Sequence, residues 1–235
     1  MDTENKDTAE KIKEIRNSCR LAMNGPASQA MRERGLEYRL NFGVEYPRIK
    51  QIAAPYGKNH DLAQALWKED VREMKIMAGI IQPADTFIKE LAEIWMDSIR
   101  QQELAEMTSM NLFSKLPYAS EIAFEWIAAE NNACKQYCGY LILARLLASG
   151  KEMNERSADE FLDQAESDAL SDEYLPKAGA MTALKKFVSQ NEDNAKRIEH
   201  LIGKYKDSTR QNESDFYNEM KFELDFTRQQ PMQES

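Results

Sequence analysis

The chain has 235 residues, of which 42% are hydrophobic, so it is long and apolar enough to bury a substantial core as one large domain. Nine Gly and seven Pro against plentiful Ala, Leu, Met, Glu and Lys favour helices over strands. A net charge of −9 argues against generic nucleic-acid binding, and the lack of any run of about 18 apolar residues argues against a membrane span. The acidic start MDTENKDTAEKIKE does not read as a signal peptide, and three cysteines, an odd number, point to reduced thiols and a cytoplasmic setting.

Helical periodicity dominates the chain. Residues 8–23 place Ile12, Ile15, Cys19 and Met23 at steps of three and four, and Asn24-Gly25-Pro26 ends that helix. Ser28 is positioned to cap a second helix, which carries Met31, Leu36 and Tyr38 towards Gly43. Pro47 opens the third, because its missing N–H would be unsatisfied at a first helical position anyway, and Gly57 closes it. Asp61 suits the N-cap of a fourth helix with Leu62, Leu66 and Trp67. Glu69-Asp70 starts VREMKIMAGII, which stops at Gln82-Pro83. Further helices are predicted over 85–100, 101–114, 119–129 and 131–148, the last ended by Ser149-Gly150.

Residues 151–173 are acidic and read as short helices capped by Ser157 and Ser171. Two more helices are predicted over 175–189 and 192–206, then a weak one around 216–226, with TRQQPMQES disordered at the end. The organisation expected is a domain over 1–210 and an acidic, partly disordered tail over 211–235. No strand or hairpin is read. Short connections suit antiparallel neighbours, and both a degenerate stack of helix pairs and a globular bundle fit the pattern.

The charge is unevenly spread. Residues 15–60 hold eight basic side chains (Arg16, Arg20, Arg32, Arg34, Arg39, Arg48, Lys50 and Lys58) against three acidic ones, and 176–210 hold eight against four. Residues 151–175 hold two against nine, and the last 25 hold two against six. Two basic segments thus flank a neutral-to-acidic middle. Brought to one side of the fold, they would make a surface that tracks phosphates; otherwise they are solvated helix faces.

Little else signals chemistry. His60 and His200 lack a ligand pattern, and Cys134 and Cys138 share a helix face without the further ligands zinc needs, so they read as buried thiols. No metal and no cofactor is expected. No phosphate-binding loop, dinucleotide fingerprint or Ser-His-Asp order is found. In QQELAEMTSMNLF, helical spacing puts Leu104, Met107, Thr108, Asn111 and Leu112 on one side, with Gln102, Glu106, Met110 and Phe113 roughly opposite. Glu106 alone reads as a surface glutamate, and Tyr137 belongs to an apolar stripe with Tyr140, Leu141 and Ala144.

The stretch NFGVEYPRIKQIA, followed by DLAQALW and REMKIMAGII, then MNLF and FEWIAAENNACKQYCGYLILARLL, resembles the AlkD-like DNA alkylation repair family from about residue 31 to 186. Members of that family are DNA glycosylases built from HEAT-like repeats. The resemblance implies an all-α superhelical stack of antiparallel helix pairs whose basic concave side holds DNA. In active members a carboxylate supports the sugar cation while cationic alkylated purines leave, tryptophans pack on the sugar, and arginines hold phosphates.

The resemblance places the carboxylate on Glu106, one methylene longer than aspartate. It places the tryptophans on Gln102 and Thr182, and the arginines on Tyr137 and Lys185. With the basic segments, the DNA-contact set is then Arg48, Lys50, Gln102, Tyr137, Thr182, Lys185 and Lys186. The losses at 102, 137 and 182 imply a DNA-binding member, on duplex or branched DNA, in which base excision is weakened. A working glycosylase using Glu106, and a helical-repeat scaffold for a protein partner on the concave face, are the alternatives. A monomer without membrane contact is expected.

Overall fold

The computed structural model describes residues 2–229, and its regular secondary structure is helical. Its α-helices run α1 Asp2–Leu21, α2 Gly25–Glu33, α3 Tyr46–Ala53, α4 His60–Lys68, α5 Arg72–Ile81, α6 Lys89–Ser98 and α7 Gln102–Asn111. They continue with α8 Ala119–Ile127, α9 Ala133–Ala148, α10 Glu155–Ala169, α11 Tyr174–Val188, α12 Glu192–Gly203 and α13 Gln211–Gln229. Among the described residues the sole β contact is an isolated bridge between Leu40 and Val71. No described helix is long and apolar enough to cross a membrane. The chain divides into two compact units after Pro117.

Several helix limits differ from the sequence reading, and each difference has a local cause. The second helix does not reach Gly43. It stops at Glu33, Gly35 turns the chain at φ +88°, and residues 36–45 run without helix, so Leu36 and Tyr38 belong to a loop. The caps are asparagines rather than the expected Ser28, Asp61 and Ser157. Asn24, Asn59, Asn132, Asn154 and Asn191 each accept a backbone N–H of the first turn of α2, α4, α9, α10 and α12. Ser28 instead donates its hydroxyl to the carbonyl of Asn41 at 2.7 Å. Residues 155–169 form one helix, not several short ones, because Ala158, Phe161, Leu162, Ala165 and Ala169 make a continuous buried stripe behind the acidic face. The weak helix expected around 216–226 is a 19-residue helix with Phe216, Met220 and Leu224 buried. The expected disorder of the last residues falls, from 230 onward, outside the described residues.

In the first unit, α4 and α5 pack as a pair, and α5 also packs on α3 and α7. Trp67 of α4 and Trp95 of α6 stack with ring centroids 3.9 Å apart, and Phe87 meets Trp95 edge-on. Both indole N–H groups are used, Trp67 donating to Ser98 and Trp95 to Gln64. Cys19 is fully buried; burial first, then the nearby Glu73 carboxylate, pushes its thiol up to about 12, which makes it a core filler rather than a nucleophile.

In the second unit, α9 is the central helix, buried between α8 and α11. Two glycines permit these contacts. A Cβ on Gly139 would stand 2.7 Å from the Ala123 carbonyl and from the Ile127 nitrogen of α8, and one on Gly179 would stand 2.9 Å from Tyr140 Cβ. The Tyr140 hydroxyl donates to buried Asp168 of α10 at 2.5 Å; burial, then that carboxylate, raises the phenol far above its usual range. Gly139→Ala meets backbone rather than a flexible side chain, so α8 must move off α9. We expect it to destabilise the protein by about 1–3 kcal/mol, seen as a lower urea midpoint; an unchanged midpoint would show that α8 yields freely.

Candidate nucleic-acid interface

The segment that carries the family likeness is held by a buried ionic network. Phe42 and Val44 donate their backbone N–H groups to the Glu73 carboxylate at 3.2 and 3.1 Å. Glu73 is fully buried, and Arg72 beside it is nearly so. Arg72 grips the Val44 carbonyl at 3.0 Å, Glu73 at 2.9 Å, and both oxygens of Glu103 on α7 at 2.7 and 2.5 Å. Burial alone would lower the Arg72 pKa, but Glu103 and Glu73 outweigh it, and the guanidinium is held more firmly protonated than usual. At the turn, Gly43 has φ +68°, and a Cβ there would lie 2.3 Å from the Asn24 carbonyl. One arginine thereby ties the loop before α3 to the first turn of α7.

Past this loop, α3 presents its cations. Ile49, Ile52 and Ala53 are buried, while Arg48 and Lys50 are exposed. Arg48 donates to Gln51 on its own helix, and the Lys50 ammonium lies 5.8 Å from the centre of the Tyr46 ring. Tyr46, Pro47, Lys50, Gln51 and Ala54 line a shallow open groove. The Tyr46 hydroxyl donates to Asn111 at the end of α7 at 2.7 Å, and Asn111 donates back to the Met107 carbonyl. The cationic helix is thus braced against α7 through Tyr46, as well as through Arg72.

On α7, Gln102 and Glu106 are both half-buried, one turn apart. The Gln102 amide donates to the Glu106 carboxylate at 3.0 Å. The buried residues of this helix are Leu104, Ala105, Thr108, Ser109 and Asn111; of the side that spacing grouped as Leu104, Met107, Thr108, Asn111 and Leu112, Met107 is half-buried.

The other predicted contact residues lie in the second unit. Tyr137 is buried at 5% exposure, with its ring beside Gly179, and Tyr140, Leu141 and Ala144 are buried with it. Thr182 is exposed, but its hydroxyl donates to the Ala178 carbonyl of the preceding turn. Lys186 is exposed, and half-buried Lys185 forms a 2.6 Å ion pair with Glu219 of α13. Of the 13 helices described, only α3, α9 and α11 contain no Asp or Glu, and α9 is largely buried. That leaves α3 and α11, one in each unit, as the acid-free helices with cations at the surface. Among the described residues no group of three His, Cys, Asp or Glu is arranged to hold a metal.

Residues 20–197 match the model of a protein family described as DNA alkylation repair enzyme. No curated protein sequence matches the chain. A solved structure described as a new family of proteins related to the HEAT-like repeat DNA glycosylases, with affinity for branched DNA structures, superposes with a TM-score of 0.73. It is 19% identical and the match covers 92% of this chain and 94% of that one. At that identity the likeness shows the fold: an all-α, HEAT-like repeat architecture of helix pairs.

Proposed function

This chain belongs to the DNA alkylation repair enzyme family, and from that premise we propose that it binds DNA through the phosphate backbone without excising bases. The observation that carries the proposal is the charge segregation. In a chain of net charge −9, exposed Arg48, Lys50 and Lys186 and half-buried Lys185 sit on helices with no acid of their own. Phosphate contact needs such local excess rather than overall basicity. We assign Arg48, Lys50, Lys185 and Lys186 to phosphates and Tyr137 to the core. The related solved structure's affinity for branched DNA makes a junction the first ligand to test beside plain duplex.

The state of Glu106 argues against excision. Catalysis would need a carboxylate held at the sugar's anomeric carbon, whereas this one accepts a hydrogen bond from Gln102 on its own helix. Gln102 stands where the family resemblance implies a tryptophan, and an amide gives the sugar no aromatic face. Displacement of a reacting group by about an ångström can lower a rate roughly a hundredfold. Release of 7-methylguanine from duplex DNA is therefore expected to stay close to the spontaneous rate. Glu106→Gln should leave DNA affinity within about twofold, since it removes one charge and none of the cations assigned to phosphates. Glu106→Asp combined with Gln102→Trp should recover some release. Robust release by the unaltered protein, abolished in Glu106→Gln, would make it a working glycosylase.

A further inference from the structure

Lys185 is not presented to solvent alone. Its ammonium is paired at 2.6 Å with Glu219, which projects from α13, and the two side chains are only partly exposed. Helix α13 begins at Gln211, beyond the residues 20–197 matched by the family. It carries five acidic side chains (Glu213, Asp215, Glu219, Glu223 and Asp225) against Lys221 and Arg228. It is docked by Phe216, Met220 and Leu224 in the core, and by Arg228, which reaches Glu199 at 2.8 Å and Glu192 at 3.2 Å on α12. The carboxylate on Lys185 is therefore delivered by a helix anchored independently of that ion pair.

We propose that α13 is a built-in competitor for the DNA backbone, with Glu219 occupying on Lys185 the position a phosphate oxygen takes when DNA binds. This rests on the assignment of Lys185 to phosphate contact made above. A carboxylate and a phosphate make the same kind of charge-assisted contact with an ammonium, so only one of them takes the Lys185 charge at a time. A phosphate arriving at Lys185 must displace Glu219, while one arriving at Lys186, which makes no ion pair among the described residues, displaces only counterions. Helix α13 thereby weakens attachment at this end of α11. The effect is a fixed cost in affinity for any ligand that engages Lys185.

The test is Glu219→Gln in the full chain, since deleting α13 would bare the core that Phe216, Met220 and Leu224 cover. Affinity for a synthetic four-way junction is measured over a salt series. Glu219→Gln is expected to bind about threefold to tenfold tighter near ~100 mM salt, with a logarithmic salt slope steeper by roughly 0.9, one added phosphate contact. In a Lys185→Gln background the same substitution should gain nothing. Unaltered affinity and slope in Glu219→Gln, with the parent protein binding normally, would overturn the inference and leave the DNA-binding reading standing. A gain that persists in the Lys185→Gln background would also overturn it, since it would come from net charge alone. If neither parent nor variant binds at low salt, the inference and the reading fall together.

Discussion

Arg72→Ala is expected to lower the unfolding free energy by about 3–5 kcal/mol, the range for breaking one side of a buried ion pair. The guanidinium is 3% exposed and serves three elements at once: the Val44 carbonyl, Glu73 of α5 and Glu103 of α7. Truncation leaves the Glu73 carboxylate fully buried, with only the N–H groups of Phe42 and Val44 to compensate its charge. An uncompensated buried charge is costlier than the lost bonds themselves. Arg72→Lys keeps a cation but loses the two-pronged grip on Glu103, so it should fall between alanine and wild type. Urea denaturation followed by circular dichroism reads all three proteins. A loss below about 1 kcal/mol in Arg72→Ala, the scale of a surface pair, would show that the loop before α3 is held by its apolar contacts instead.

The second large effect concerns binding. Lys185→Glu together with Lys186→Glu should reduce DNA affinity by about tenfold to a hundredfold near ~100 mM salt, and flatten the logarithmic salt slope by roughly 0.9 for each of the two that is engaged in the parent. The reduction should be alike across base sequences, because phosphates carry no sequence information. Arg48→Glu and Lys50→Glu on α3 are expected to act in the same direction. Both residues are exposed and bonded only locally, so these variants should fold normally. A filter-binding or anisotropy titration in which the double variant matches the parent would remove α11 from the interface.

Much of the fold is legible in the sequence because most of the helices carry a periodic core stripe, α2 excepted. What is not legible depends on partners distant in the chain. Gly35 is a usable stop signal for the second helix, but the path after it is not legible; the loop is set by the Arg39 backbone N–H donating to Asp70, Leu40 bridging Val71, and Glu73 collecting the N–H groups of Phe42 and Val44. The acidic run over 155–169 reads as broken helices until its buried face of Phe161, Leu162 and Ala165 is seen as one stripe. Asn24, Asn59 and Asn154 each stand close to a Ser or Asp of similar cap preference (Ser28, Asp61 and Ser157), so residue type alone does not choose between them.

The candidate site was legible in its cations and not in their surroundings. Arg48, Lys50 and Lys186 are exposed, as their helix positions imply. Arg72, Glu73 and Glu103 were missed because charged residues beside an apolar run read as a solvated face, and the partners that allow Arg72 and Glu73 to be buried, the Val44 loop and half-buried Glu103, lie some thirty residues away in the chain. Glu219 was missed because an acidic C-terminal segment reads as a tail. The signal that could have found it is the spacing of Phe216, Met220 and Leu224, a core stripe that gives α13 a reason to dock.

The central claim, that this is a phosphate-tracking DNA-binding protein despite its net charge, is tested most directly by one titration. The unaltered protein is titrated with plain duplex and with a four-way junction over a salt series. Binding to both is predicted at low salt, with the junction bound more tightly and affinity falling linearly with the logarithm of salt, at a slope of roughly −0.9 for each assigned cation that is engaged. No binding to either DNA at low salt, or binding that does not respond to salt, would contradict the claim and leave a helical-repeat scaffold for a protein partner as the better account.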